Sequence, residues 1–317
     1  MENNKMQVDV IIPVYGPDEA FVTQLSRLAR QTVQPERIII MNTDPARWEQ
    51  SGVEGKLIQL GIAPLCELHH VRRTQFDHGG TRNLGVSFST APYFILMTQD
   101  ALPINEHLIE NLLRPLEGAV QMSYARQIPY RGADPLERFS RHFNYPEQSR
   151  IKSISDLPKL GIKTYFASNV CAAYERSSFD RIGGFTERTI FNEDMIYAAA
   201  LLRSGAKIAY ASDALVRHSH HYTAVQQFHR NFDLAVSQAE HPEVFAGIRS
   251  EGEGFRMVRE TAVWLKRRGM TAYLPALFLQ SSAKYLGYLL GKNHRRLPEG
   301  VVKRCSMNRA YWEKPNE

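Results

Sequence analysis

The stretch PYFILMTQDA, residues 92–101, is the most informative about the fold, because an unbroken apolar run leads to a carboxylate at Asp100. Continuous rather than alternating apolar residues predict a strand that is buried on both faces, as in a parallel sheet. The predicted strand, Pro92–Thr98, ends just before Gln99 and Asp100. Because ligands bind at the carboxyl ends of parallel strands, we expect Asp100 at the edge of a binding site.

Segments on both sides of this strand repeat a pattern of short strand and helix. Val8–Tyr15 and Arg37–Asn42 predict buried strands, and Asp18 is placed to cap the helix after the first. Further strands are predicted at residues 66–71, 124–129, 164–173 and 207–211, a helix at 195–203, and helical structure beyond residue 223. Strands that alternate with helices predict an α/β fold with a mostly parallel, Rossmann-like sheet.

Composition excludes several classes of protein. The chain has 317 residues, of which 43% are hydrophobic, so disordered and fibrous classes are excluded. Its 3 cysteines are far apart, which argues against a disulfide framework or zinc knuckle and favours the reducing cytoplasm. Neither a signal peptide nor an apolar stretch of about 18 residues is found, so no membrane span is predicted.

Charge divides the chain into two predicted parts, a domain at residues 1–250 and a basic helical extension at residues 251–317. The extension has 13 Lys and Arg against 6 Asp and Glu, whereas the rest is almost neutral. A neutral body with a basic tail favours an anionic surface such as a membrane leaflet over nucleic acid. Apolar residues at helical spacing over Leu274–Leu289, followed by basic residues, predict membrane-surface contact through residues 274–296. The alternative is a helix packed on its own domain.

The glycine cluster HGGTRNLG, residues 78–85, matches neither GxGxxG nor GxxxxGK[ST]. The main sequence evidence for a nicotinamide-dependent enzyme or a P-loop NTPase is therefore missing. A glycine turn leads into a helix with Arg82 in its first turn, and backbone amides with a guanidinium predict a diphosphate site. A tight loop with a structural arginine is the alternative.

Acidic residues and histidines supply two further predictions. Asp100 is a candidate ligand for Mg²⁺ or Mn²⁺ that bridges a diphosphate. Glu193 and Asp194 precede an apolar helix, where they are either a general base for an incoming hydroxyl or partners of the helix dipole. Three histidines, His218, His220 and His221, lie close together in the sequence, and one of them could complete a metal site.

The order of the motifs IIPVY, NTD, GGTRN, TQDA, IGGF and NED resembles the family-2 glycosyltransferases of GT-A fold. The family's D-x-D motif stands here as Thr98-Gln99-Asp100, without its first carboxylate. The resemblance implies Asp194 as catalytic base, with Glu193 beside it. It implies donor nucleotide contacts by Pro13, Tyr15, Asp44, Gly80, Arg82, Asn83, Gln99 and Asp100. It implies sugar or acceptor contacts by Arg126, Gln127 and Asn169, and a divalent cation held by Asp100 and His218.

The segments YARQIPY, FNYP, SNVCAAY and AKYLGYLLGK narrow the resemblance to bacterial rhamnosyltransferases that build surface polysaccharides such as O-antigen. This implies an inverting transfer of L-rhamnose from dTDP-rhamnose to a saccharide or lipid-linked saccharide. We expect the protein in the cytoplasm, where it would bind peripherally to the inner face of the plasma membrane. Alternatives are another donor such as a UDP-sugar, or a degenerate scaffold, which Thr98 would favour. A sugar-phosphate nucleotidyltransferase is disfavoured, because Tyr15-Gly16-Pro17-Asp18 lacks a basic residue.

Overall fold

Nine strands form one mixed sheet in the computed structural model, which describes residues 6–248 and 251–313. The strands are β1 (Val8–Val14), β2 (Arg37–Asn42), β3 (Cys66–His70), β4 (Tyr93–Met97), β5 (Leu102–Pro103), β6 (Val120–Ile128), β7 (Arg150–Lys152), β8 (Cys171–Glu175) and β9 (Lys207–Arg217). The described helices are α1 (Glu19–Leu28), α2 (Pro45–Ser51), α3 (Val53–Gln59), α4 (His78–Phe88), α5 (Leu108–Leu113), α6 (Pro135–Asn144), α7 (Leu157–Leu160), α8 (Arg176–Ile182), α9 (Glu193–Arg203), α10 (Ala224–Glu240), α11 (Pro242–Phe245), α12 (Glu251–Arg267), α13 (Leu274–Lys292) and α14 (Glu299–Cys305).

The strand order is β3-β2-β1-β4-β8-β6-β9-β5, with β7 paired to β9. The pairs β1–β2, β1–β4, β2–β3 and β6–β9 are parallel, whereas β8 runs antiparallel between β4 and β6. The prediction of a mostly parallel α/β sheet is confirmed. The strand predicted at residues 164–173 begins too early, because Gly161–Thr164 forms a 3-10 turn and the chain reaches β8 only at Cys171.

Strand β1 shows how the sheet separates two apolar cores. Val10 and Ile12 belong to a core on one face, while Ile11, between them, packs with Ile39 and Met41 of β2 in the core on the other face. Successive side chains of a strand point to opposite faces, so a continuous apolar run is required when both faces are covered. This explains why the central strands carry few polar residues until they reach their carboxyl ends.

Polar caps set the helix starts that the sequence predicts. The Asp18 side chain accepts a hydrogen bond from the Phe21 amide at 3.1 Å, which confirms it as the N-cap of α1. Thr223 and Gln226 form a reciprocal capping box at α10. Helix α9 instead follows Asn192, which has a left-handed backbone with φ of 66°. Asparagine is one of the few residues other than glycine that tolerate this region.

The glycines of the cluster at residues 78–85 allow close packing. A Cβ on Gly79 would lie 2.1 Å from the carbonyl oxygen of Thr186, and one on Gly85 would lie 2.5 Å from Cγ2 of Ile11. Helix α4 therefore lies against β1 and against the loop after α8 at distances that exclude any side chain. The cluster is explained by packing.

The C-terminal helices pack on the sheet domain through α10. A Cβ on Gly287 would lie 2.2 Å from the carbonyl oxygen of Phe228, and one on Gly291 would lie equally close to that of Phe232. Helix α13 thus lies directly on α10, which precedes the predicted boundary at residue 250; that boundary stays a prediction. Among the described helices, none has the length and apolarity that crossing a bilayer requires.

Candidate active site

Three side chains meet beyond the carboxyl ends of β4 and β9: Asp100 from the first, and His218 and His220 from the second. Oδ2 of Asp100 lies 3.3 Å from Nε2 of each histidine. One ligand atom from each residue lies within 4.8 Å of the others, so the three could share one ion. Burial opposes ionisation of Asp100, but the hydrogen bond and charge of His218 hold its pKa well below the usual range. We call these three residues the metal cluster.

Gln127, in β6, orients His218. Its side-chain oxygen lies 2.9 Å from Nδ1 of His218 and also accepts a hydrogen bond from Arg141, while its Nε2 donates to Oγ of Ser168 at 3.0 Å. When Nδ1–H donates to Gln127, the lone pair of Nε2 is directed towards Asp100 and is available to a metal ion. Gln127 therefore supports a metal ligand.

The acidic pair Glu193-Asp194 begins α9 and is held by Asn169. The backbone N–H of Asn169 donates to Oδ2 of Asp194 at 3.2 Å, and its side-chain amide donates to Oε1 of Glu193 at 3.3 Å. Asn169 is only 2% exposed, and its own oxygen accepts a 2.5 Å hydrogen bond from the Tyr174 hydroxyl. One buried residue thus holds both carboxylates, Asp194 through its backbone N–H and Glu193 through its side chain.

The two carboxylates of the acidic pair have opposite pKa shifts. Burial and the charge of Glu193 raise the pKa of Asp194 to about 7. Burial alone would raise the pKa of Glu193 as well, but Arg82, at 3.2 Å, and His78 outweigh it and lower that pKa. Asp194 is therefore the group that exchanges a proton near neutral pH, as a general base must.

Two consecutive residues connect the metal cluster to the acidic pair. Ser168 accepts the hydrogen bond from Gln127, which orients His218, and the next residue, Asn169, binds both carboxylates. The loop before β8 thus holds the two groups in one arrangement. Candidate cation ligands and a candidate proton acceptor are thus held by one loop.

A third part of the site lies at the end of β1. The Tyr15 ring is 40% exposed, and the guanidinium groups of Arg47 and Arg73 lie 5.0 and 5.4 Å from its centroid. Gln99 pairs with the Tyr15 backbone in both directions, accepting from its N–H at 2.6 Å and donating to its carbonyl at 3.1 Å. An exposed aromatic ring with two cations against it, near Asp100, offers stacking and positive charge to an anionic ligand.

Comparison with known proteins identifies the family. Residues 9–183 match the model of glycosyl transferase family 2. The chain is 37% identical over 316 residues to O-antigen chain rhamnosyltransferase RfbN of Salmonella typhimurium, covering 97% of this chain and 96% of that protein. It is 38% identical over 312 residues to O-antigen chain rhamnosyltransferase WbaN of Salmonella anatum, covering 96% and 95%. The chain belongs to glycosyltransferase family 2.

Solved structures show the fold of this glycosyltransferase. A mannosyltransferase from Pyrobaculum calidifontis, in complex with GDP-Man and Mn²⁺, matches with a TM-score of 0.56 at 14% identity, over 98% of this chain and 86% of that one. TarS 1-349 of S. aureus matches with a TM-score of 0.50 at 12% identity, over 92% and 91%. The predicted GT-A fold and the prediction of a glycosyltransferase are confirmed.

Three residues that the resemblance assigns to the donor nucleotide make contacts within the glycosyltransferase itself. Arg82 is buried against Glu193 and also donates to the His78 carbonyl at 2.7 Å. The Gly80 amide donates to the N-cap carboxylate of Asp77 at 2.7 Å, which puts negative charge where an anion was expected. Asn83 pairs with the backbone N–H and carbonyl of Phe185. The alternative interpretation of this cluster, a tight loop with a structural arginine, agrees with these contacts.

Other predicted contacts are placed as follows in the glycosyltransferase. Asp44 caps α2 by accepting from the Arg47 amide at 3.1 Å. Pro13 lies inside β1 and is aligned with β2. Arg126 is a neighbour of Gln127 in β6, so the two side chains point to opposite faces of the sheet, and their predicted sugar or acceptor contacts stay predictions. Arg126 instead pairs with Glu147 at 3.0 Å. Contacts of Asp44 and Pro13 with a nucleotide stay predictions.

Sequence reasoning missed some residues of the glycosyltransferase site. The spacing of His218 and His220, two residues apart, is the signal that could have added His220 to the metal cluster. Arg73 comes two residues after the strand predicted at residues 66–71, a signal that could have added it, whereas Arg230 gave none because it lies within a helix. The Arg230 guanidinium, in α10, lies 4.6 Å from the ring centroid of Phe191. Its position depends on the packing of α10, which local sequence does not reveal.

Proposed function

We propose that this glycosyltransferase moves L-rhamnose from dTDP-rhamnose to a sugar hydroxyl of a growing O-antigen chain, with inversion at the anomeric carbon. The observation that carries the chemistry is the acidic pair, with one carboxylate near neutral pKa and the other held ionised. The two Salmonella relatives, named as O-antigen chain rhamnosyltransferases and similar along nearly the whole chain, support the choice of sugar.

Asp194 acts as the base. Its ionised carboxylate takes the proton of the acceptor hydroxyl, and the oxygen attacks the anomeric carbon from the face opposite the diphosphate. The bond from that carbon to the diphosphate oxygen breaks, and the electron pair leaves with the diphosphate. A pKa of about 7 suits this role, because the group is ionised in a useful fraction and still binds a proton well. Asn169 fixes the carboxylate, and Glu193 keeps its proton affinity high.

The metal cluster would hold a divalent cation against the diphosphate. Its donor set, one carboxylate oxygen and two imidazole nitrogens, suits Mn²⁺ better than Mg²⁺, which prefers oxygen ligands alone. When bound, such an ion supplies positive charge where the leaving group becomes negative. Asp100, ionised by its histidine neighbours, and the orienting Gln127 prepare this end of the site. Burial lowers the pKa of His220, and so does the charge of nearby Arg230, which would add a second positive charge at this end of the site.

Tyr15, Arg47 and Arg73 would bind the donor nucleotide. The exposed ring offers a stacking surface for the base, and the two guanidinium groups offer charge-assisted hydrogen bonds to the diphosphate. Asp44, next to Arg47, is placed to meet the ribose. In this proposal Arg82 binds Glu193 rather than the diphosphate, since its side chain is only 7% exposed.

The enzyme would work at the inner face of the plasma membrane, bound there through residues 274–296. Helix α13 exposes the apolar side chains of Phe278, Leu279 and Leu286, with Phe278 75% exposed. Lys292, at its end, and the exposed Arg295 follow directly. An exposed apolar stripe with adjacent basic residues supports binding to an anionic leaflet.

A panel of nucleotide sugars tests the function. The purified chain is incubated with dTDP-rhamnose, UDP-sugars or GDP-sugars, with O-antigen fragments as acceptors, and released nucleoside diphosphate and product are measured. We expect turnover with dTDP-rhamnose and an anomeric configuration inverted in the product. If only a UDP-sugar is turned over, the donor is that sugar and not dTDP-rhamnose. If no pair of donor and acceptor reacts, the proposal is contradicted.

Vesicle sedimentation tests the membrane contact. Reversal of Lys292, Arg295 and Arg296 to Glu should release the protein from anionic vesicles, since each basic residue contributes about 1 kcal/mol. Reversal of three exposed basic residues in the sheet domain, Arg30, Lys159 and Lys207, is the matched control. If wild-type protein ignores anionic vesicles, or if both triple variants bind equally, residues 274–296 do not contact a membrane.

A further inference from the structure

The loop between α8 and α9, residues 183–192, leads directly into the acidic pair, and its conformation is not one that its own sequence prefers. Arg188 and Asn192 both have a left-handed backbone, with φ of 55° and 66°. Residues other than glycine rarely adopt this region, and arginine lacks the tolerance that asparagine has for it. Contacts from other parts of the chain must therefore hold the loop in this form.

Different helices hold the two halves of this loop. Helix α4 holds the first half through Asn83, as described above. In the second half, the hydroxyl of Ser237 in α10 donates to the carbonyl of Phe191 at 2.5 Å, and the Asn192 side-chain amide donates to the Leu234 carbonyl at 3.3 Å. The start of α9 therefore depends on α10 as well as on α4.

A further support comes from residues 302–312, which we call the anchor segment. The Tyr311 hydroxyl lies within donating distance of two acceptors, the carbonyl oxygen of Arg188 at 3.2 Å and Oε2 of Glu240 at 3.1 Å. It thus contacts the loop at one of its two left-handed residues and connects that residue to the end of α10. A carbonyl held in this way resists rotation of the peptide that follows Arg188.

The anchor segment is itself fixed on α10 by buried contacts. Oδ2 of Asp233, a residue that is 3% exposed, accepts from the backbone N–H groups of Met307 at 2.9 Å and Asn308 at 3.1 Å. Val302 and Ile190 of the loop lie in one small apolar core with α10, and both are almost completely buried. The segment therefore packs against both α10 and the loop, although more than 100 residues separate it from the loop in the chain.

We infer that Tyr311 is a positioning residue for the transfer reaction: by holding the Arg188 carbonyl, it keeps the α8–α9 loop in the form that presents Asp194 to the acceptor hydroxyl. The inference rests on the proposed function, in which Asp194 is the base. Tyr311 acts through the loop and the start of α9 rather than on the substrate. Part of the basic extension thus serves the chemistry of the sheet domain.

Hydrogen exchange tests the contact without relying on turnover. Tyr311→Phe keeps the ring and removes the hydroxyl, so the amides of residues 188–194 should exchange about 5-fold faster, the ratio expected for loss of one ordinary hydrogen bond. Thr32→Val is the matched control, because the Thr32 hydroxyl likewise lies 3.2 Å from a carbonyl oxygen, that of Glu106, and 3.0 Å from Oε2 of Glu110. Mass spectrometry reports both. Unchanged exchange in the loop, or the same change in the two variants, would overturn the inference.

Steady-state kinetics distinguish positioning from a merely structural role. We expect Tyr311→Phe to lower kcat by about 5-fold and to leave the KM for the donor unchanged, because the metal cluster and the region of Tyr15 keep their contacts. Thr32→Val should change neither constant. Urea denaturation checks that both variants are fully folded under the assay conditions. Faster exchange of the loop with an unchanged kcat would make Tyr311 a structural contact only, and would overturn the inference.

Asp233→Ala releases the anchor segment without altering Tyr311 or the loop. It should lower kcat in the same way, and the double variant with Tyr311→Phe should be no slower than the slower single variant, because both changes act through one contact. Effects that multiply would contradict this route. Absence of transfer by the wild-type chain would overturn the proposed function and this inference with it, whereas transfer with an unchanged kcat in Tyr311→Phe overturns the inference alone.

Discussion

Two aspartates at strand and helix ends, Asp100 and Asp194, are surrounded so differently that one fold gives them opposite chemistry. Asp100 lies between two histidines, which keep it ionised against the cost of burial. Asp194 lies beside another carboxylate at the buried start of α9, and burial together with that charge raises its pKa to about 7. Neighbouring charge thus favours the ionised form of the first and the protonated form of the second.

The largest effect is expected at the base. Asp194→Asn keeps the shape and removes the proton acceptor, so turnover should fall by about 10²–10⁴-fold while donor binding persists. Steady-state kinetics and donor titration measure the two quantities. Asp213→Asn, at an exposed position on β9, is the control. Near-normal turnover in folded Asp194→Asn would transfer the role to Glu193.

Removal of the Asp100 carboxylate should weaken donor binding rather than slow the chemical step. Asp100→Asn should weaken donor affinity by about 100-fold when Mn²⁺ is present and little without it, because the lost contact is to the ion. Isothermal titration with and without Mn²⁺ measures this. His221→Gln is the matched control, since His221 pairs with Asp134 outside the metal cluster. A wild-type rate that EDTA does not change would contradict a metal at Asp100.

A smaller effect is expected from the residue that orients His218. Gln127→Leu removes the acceptor of the imidazole N–H, and affinity for Mn²⁺ should fall by about 10-fold. Gln121→Leu, in the same strand but bound to Arg181, should leave it unchanged. Mn²⁺ titration followed by electron paramagnetic resonance reports both. Equal affinities in the two variants would mean that Gln127 only packs the strand.

Removal of the Glu193 charge from the acidic pair should change the pH dependence of the rate. A base must be unprotonated, so the wild-type rate should fall as pH drops below about 7. Glu193→Gln removes the like charge that raises the pKa of Asp194, so this acid limb should move about one pH unit lower. Rate profiles between about pH 5 and 9, with Mn²⁺ saturating throughout, measure the shift. An unmoved limb would assign it to another group.

The smallest effect concerns the residue that precedes the pair. Asn192 has a φ of 66°, which glycine adopts freely and alanine does not. Asn192→Ala should therefore lower the free energy of unfolding by about 1 kcal/mol more than Asn192→Gly. The two variants lose the same side-chain hydrogen bond to Leu234, so urea denaturation isolates the backbone cost. Equal stabilities would show that the loop relaxes.

The sequence predicts those site residues whose positions follow from the adjoining strand or helix. Asp100 follows a strand, Asp194 starts a helix, and both are recognised from the pattern beside them. Arg82 and Gly80 were assigned to a diphosphate because a glycine turn before a helix resembles an anion site. Within the structure their partners are Glu193, which depends on tertiary packing, and Asp77, a cap just outside the motif. Local sequence cannot show which anion reaches a cation first.

The fold was more predictable than the site for a related reason. Each strand or helix is indicated by several residues together. An error of a few residues in one boundary, as at β8, therefore leaves the predicted sheet correct. A site depends on single atoms. Arg126 and Gln127 show the difference, because a strand prediction that is correct in outline still places neighbouring side chains on opposite faces.

The fit between the glycine cluster and the loop after α8 has a consequence for exchanging parts between related enzymes. Gly79 lies against the carbonyl of Thr186, and Asn83 pairs with the backbone of Phe185, although about 100 residues separate the segments in the chain. The motifs GGTRN and IGGF therefore form one packing unit whose residues must match each other. A chimera that takes residues 78–85 from a relative should fold well only when residues 183–187 come from the same parent.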